Sequence, residues 1–136
     1  MPTNTAPVAP PVRHDPRQVA NTLVKLVNFN DANIATGVAF ANSLPEDARI
    51  LDVIVEIITA FNAATTNVLT VGTNSTDYNN IVAAGDVNEA AAAATRVERG
   101  IGGAICRNQE RAPYVKYTQT GTAATAGQAE ITIVYE

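Results

Sequence analysis

Tryptophan is absent from the 136 residues, and cysteine, histidine and methionine occur once each. Each scarcity excludes something. The lone Cys106 can form neither an internal disulfide nor a thiolate metal cage. Between Ile105 and Arg107 it reads as a small, partly buried residue. The single histidine, His14, lies in a proline-rich stretch where no neighbour holds a base in place, so a nucleophile–His–Asp triad is not expected. Charged residues make up only 16% of the chain, against about 25% in ordinary domains. The net charge is −4, Lys25 and Lys116 are the only lysines and the seven arginines are scattered. Nucleic acid, which needs clustered cations, is therefore not an expected partner. No apolar run approaches the roughly 18 residues of a membrane span. No basic start leads into an apolar signal segment either, so no membrane partner is expected and synthesis in a cytoplasm is.

The acidic residues do not assemble a catalytic pair in sequence. Asp52 and Glu56 are four residues apart in an extended segment, about 13 Å along a strand, too far for the usual two-carboxylate hydrolysis. Glu46 with Asp47, and Glu98 with Glu110, read as solvated or interface charges. Thr73 to Asp77 carries an oxygen on every side chain but lacks alternating acids and a trailing glutamate, so it reads as turn capping rather than a calcium loop. Gly100-Ile101-Gly102-Gly103 has no strand-then-helix context for a phosphate cradle. No catalytic, cofactor-binding or metal-binding residues are assigned, and an enzyme is not expected.

What the chain does have is β structure. In Arg49–Phe61, RILDVIVEIITAF, seven residues are Ile, Val or Thr. Branching at Cβ suits the pleated surface of a sheet and restricts a helix. At period two, Leu51, Val53, Val55 and Ile57 fall on one side, and Asp52, Ile54, Glu56 and Ile58 on the other. A strand apolar on one face and half apolar on the other has a core to cover the first. Ile54 and Ile58 mark the second as a contact surface.

Further strands are expected at Asn21–Phe29, Ile34–Ala41, Val68–Thr73, Ile81–Ala84, Tyr114–Thr120 and Ala129–Tyr135, separated by Asn, Gly, Thr and Pro turns. Glu89–Val97 contains five consecutive alanines and reads as a short helix or an excursion of a sheet edge. The expected fold is all-β, an antiparallel β-sandwich or barrel, over residues 18–136. Residues 1–17 form a separate proline-rich arm, since Met1–Pro16 holds five of the seven prolines. Fully extended, that stretch reaches on the order of 50 Å. Pro7, Pro10, Pro11, Val12 and Arg13 are its candidate partner-contact residues, alongside Ile54 and Ile58 on the strong strand.

Two blocks carry a family resemblance: ITAFNAATTNVLTVGTNSTDYNNIVAAGDV, Ile58 to Val87, and YVKYTQTGTAATAGQAEITIVYE, Tyr114 to Glu136. They resemble the head decoration, or cement, proteins of tailed bacteriophages, often of jelly-roll form. The resemblance implies a jelly-roll sandwich and a structural virion protein on the outer capsid surface. It also implies the phage major capsid protein as partner, bridging of neighbouring capsid subunits, and self-association as a homodimer or homotrimer. It brings no catalytic residue and no cofactor. The alternative within the same fold class is a carbohydrate-binding jelly-roll module or head-fibre adhesin. The low aromatic content of 5% weighs against it.

Overall fold

The computed structural model describes residues 20–74, 76–101 and 105–136. The arm, with Pro7, Pro10, Pro11, Val12 and Arg13, lies outside the described residues. Seven strands follow in order: β1 (Asn21–Asn28), β2 (Val38–Ala39), β3 (Ile50–Thr59), β4 (Thr66–Gly72), β5 (Ala94–Arg96), β6 (Tyr114–Thr120) and β7 (Gln128–Tyr135). Strands β1-β7-β3-β5 form one sheet and β2-β6-β4 the other, with every pairing antiparallel. Odd-numbered strands thus lie in one sheet and even-numbered strands in the other, so each step along the chain crosses the sandwich. Beside β4, an eighth position is reduced to a bridge at Val82, whose carbonyl accepts the Val71 amide at 3.0 Å. This is jelly-roll wrapping with one strand cut to a single rung.

The inner faces meet in a core that includes Leu23 and Val27 of β1, Val53, Val55 and Ile57 of β3, and Ile131 and Ile133 of β7. From the other sheet come Leu69, Val71, Val115 and Tyr117. Alternation predicts most of this set, but two bulges in β3 shift its phase. Ile50 pairs with Tyr135 and Asp52 with Val134, leaving Leu51 as the extra residue. Ile50 is therefore buried and Leu51 only half-buried, the reverse of strict alternation. A second shift between Ile57 and Thr59 leaves Ile58 unopposed.

One other expectation needs correction, and one with two readings resolves to its second. The strand expected over Ile34–Ala41 is only Val38–Ala39. Before it the chain turns repeatedly, with the Ile34, Thr36 and Gly37 amides donating to carbonyls of Asp31 and Asn33. Asn33 at φ 63° and Gly37 at φ 119° hold left-handed backbone that a strand does not admit. The alanine run forms no helix: Ala90–Ala93 is an exposed connection and Ala94 opens the edge strand β5, the second of the two readings. Alanine favours a helix by propensity but brings no apolar face to bury, and five residues are too few to nucleate one.

A buried polar cluster ties the sheets to their loops. Tyr117, 1% exposed, donates its hydroxyl to Asn67 Oδ1 at 2.6 Å, and its ring lies 4.6 Å from that of Phe61. Asn67 bonds back to Ala63, accepting from its amide at 3.0 Å and donating to its carbonyl at 3.2 Å. Glu89, also buried, accepts the Leu69 amide at 2.9 Å. Burial first, and the nearby Glu89 carboxylate second, push the Tyr117 hydroxyl up from its ordinary value of 10.0. A raised value in the folded state stabilises below the unfolded value and is lost as the pH climbs above it. Tyr117→Phe is expected to cost about 1–2 kcal/mol at neutral pH. It should also flatten the loss of stability above pH 10.0, as urea titrations at pH 7 and at alkaline pH would show. Equal alkaline loss in both proteins would contradict it.

Candidate interaction surface

The sandwich has two outer faces, and they differ. That of β2-β6-β4 carries Val68, Lys116 and Thr118, and the Lys116 ammonium sits 4.2 Å from the centre of the Tyr78 ring. Among the described residues, the large apolar side chains most open to solvent are Val24 (53%), Leu26 (46%), Ile58 (42%) and Tyr78 (40%). Three of these four lie on the sheet β1-β7-β3-β5.

Register builds that face row by row. Leu23, Lys25 and Val27 share the inward side of β1, so Thr22, Val24 and Leu26 point outward. One row across the sheet is Thr22, Val134, Asp52; the next is Val24, Thr132, Ile54, Arg96; the third is Leu26, Glu130, Glu56, Ala94. Val134, Val24 with Ile54, and Leu26 place aliphatic side chains in all three rows, and Ile58 lies beyond the third, past Glu56. Scattered single hydrophobics need no explanation, whereas an outward aliphatic group on one face is a candidate contact surface.

Charge on this face is uneven. Arg96 Nε lies 2.8 Å from Asp52 Oδ1 and the same guanidinium contacts Glu98, so Asp52 has its counter-ion. Glu56 and Glu130 are directly opposed across β3 and β7. Among the described residues neither has a cation beside it. Like charges in a directly opposed pair destabilise a sheet by a few tenths of a kcal/mol. The face therefore presents aliphatic side chains with an uncompensated acidic pair at one end.

Of the residues singled out from sequence, Ile54 and Ile58 lie on this face, half-buried and exposed respectively. The other five are in the arm. Val24, Leu26 and Val134 were not singled out. Their outward phase was visible in the alternation of β1 and β7, but their exposure follows from which strands flank them. A shallow polar groove lined by Ala20, Asn21, Thr22, Ser43, Glu110 and Tyr135 lies at the start of β1, where the arm joins.

Nothing in the described residues resembles a reaction centre. No group of three or more His, Cys, Asp or Glu side chains is placed to hold a metal ion among them. Cys106 is fully buried, and desolvation pushes its thiol up, away from the reactive thiolate. A two-pronged surface ion pair, Arg99 on Asp86 through Nε and Nη2 at 2.8 and 2.9 Å, holds the Asp86 carboxyl below its ordinary value and fastens one loop.

No family model matches the chain, and no curated protein matches it. A chain of the cyanophage Pam1 capsid asymmetric unit shares its fold, with a TM-score of 0.69 over 99% of this chain and 98% of that one, at 22% identity.

Proposed function

We propose that this protein is a structural component of a phage virion, a decoration or cement protein that binds the outer surface of the head and bridges major capsid subunits. The observation that carries the reading is the near end-to-end fold likeness to a chain of a phage capsid asymmetric unit. The coverage of both chains means the whole sandwich corresponds, rather than a shared fragment. The exposed aliphatic face supports the same reading, because a lattice protein works through surfaces that stay open until neighbours cover them. The sugar-binding alternative draws no comparable support. The exposed aromatic Tyr78 is covered on one side by Lys116 and no second exposed aromatic ring joins it among the described residues.

The test is co-sedimentation of the purified protein with expanded, empty capsids of the phage that encodes it. Saturable binding at a fixed ratio to the major capsid protein is the expected result. A protein that stays in the supernatant across all capsid concentrations overturns the reading.

A further inference from the structure

We infer that the outer face of β1-β7-β3-β5 receives the N-terminal arm of a second copy of this chain. Pro7–Val12 lie over Val24, Leu26 and Ile54, and Arg13 and Arg17 lie against Glu56 and Glu130. This deepens the virion reading by naming the self-partner, but its argument rests on the face and the arm alone.

Chemistry matches on the two sides. The arm presents an unbroken apolar run, Pro-Val-Ala-Pro-Pro-Val at positions 7 to 12, followed by Arg13 and Arg17 with only Asp15 opposing them. The face presents an aliphatic patch next to two carboxylates that no cation neutralises among the described residues. A run rich in proline is a poor ladder partner, since proline has no N–H to donate, but it lies well over a flat apolar surface. The open edge of β1 is a weaker candidate for the same partner. Lys25 points inward on that edge strand, a device that discourages strand addition and leaves the face as the contact.

Reach and direction select a second copy. Nineteen residues precede Ala20, about 60 Å if extended, while an eight-residue strand is only about 27 Å long. The arm can leave its own domain and still cross a neighbour's sheet. To lie on its own face the arm would have to reverse before β1, and the turn-forming residues nearest that strand on the arm are Asp15-Pro16. A reversal there would put Arg17 on the opposite side of the turn from the apolar run at 7 to 12, so the two could not run together along one face. An arm from a second copy needs no reversal.

The test uses full-length chains carrying charge reversals, followed by light scattering after size exclusion. The wild type is expected to be larger than one copy. Arg13→Glu with Arg17→Glu opposes an acidic arm to an acidic face; Glu56→Arg with Glu130→Arg opposes a basic arm to a basic face. Each variant alone is expected to run as a single copy. An equal mixture pairs every arm with a face of opposite sign and is expected to recover association, which only exchange between copies can do. Leu26→Asp, a surface change that leaves the circular dichroism intact, should also lose association. A wild type that is a single copy overturns the inference, as do variants that associate normally or a mixture that fails to recover. If the variants lose self-association yet still bind capsids, the exchange and the capsid reading are separate properties. If the variants and their mixture behave as expected but the wild-type protein ignores capsids, the exchange stands and the virion reading fails.

Discussion

Replacing Val55 with aspartate is expected to leave no cooperatively folded protein. Val55 is fully buried at the middle of β3, between its ladder partners Thr95 and Ile131. Strand β3 lies inside its sheet, flanked by β7 and β5, so the site has no edge through which water could reach a carboxylate. Burying that group unpaired costs about 4–5 kcal/mol or more. That approaches the whole stability of a domain, about 5–15 kcal/mol. Neutralising the carboxyl by protonation gives little back, since its remaining polar atoms still lack partners. Circular dichroism should lose the β signal and its thermal transition. The next residue supplies the control. Glu56 points the opposite way, toward solvent and toward Glu130, so Glu56→Gln removes a like-charge opposition and should leave stability unchanged or slightly raised. A folded Val55→Asp protein, or an unfolded Glu56→Gln protein, would mean the phase of β3 is inverted.

That phase shows how far a one-dimensional pattern carries. β1, β3, β4, β6 and β7 were legible because each alternates over seven to ten residues with β-branched or aromatic side chains. β2 and β5, two and three residues long, have too few positions for a period to register. They are strands only because β6 and β3 offer them an open ladder. The bulges at Leu51 and Ile58 were invisible for a related reason. A bulge is a mismatch in count between two strands, and nothing within either strand announces it. The candidate surface divides in the same way. Ile54 and Ile58 could be read as outward aliphatics from β3 alone. The contribution of Val24, Leu26 and Val134 depends on β1 being an edge strand with β7 beside it, a property of topology. The opposition of Glu56 to Glu130, 74 positions apart in the chain, depends on register.

Gly72→Ala is expected to destabilise the protein by about 3 kcal/mol or more, lowering its melting temperature by roughly 10 °C. Its cause is space, not backbone angle. A Cβ on Gly72 would stand 1.8 Å from the Asp77 carbonyl oxygen, 2.2 Å from Tyr78 Cα and 2.5 Å from the Tyr78 carbonyl carbon. All three are backbone atoms, so no side chain can swing aside. The loop after β4 would have to lift, and it is held down. The Thr73 amide donates to the Asp77 carbonyl at 2.9 Å and to Asn80 Oδ1 at 3.0 Å, and Asn80 Nδ2 donates to the Thr73 hydroxyl at 2.9 Å. Asn74 Oδ1 also accepts the Thr76 and Asp77 amides at 2.8 Å each. The same loop delivers Ile81 and Val82 to their rung on Val71, so the glycine lets the chain double back tightly enough to fill the eighth jelly-roll position. Hydrogen exchange should therefore localise the damage. Amides of Val71, Ile81 and Val82 should lose protection first, while those of β1 and β7 in the other sheet should change only with global stability. Stability within about 0.5 kcal/mol of wild type, the range of neutral surface changes, would show that the loop does not close over β4 in this way.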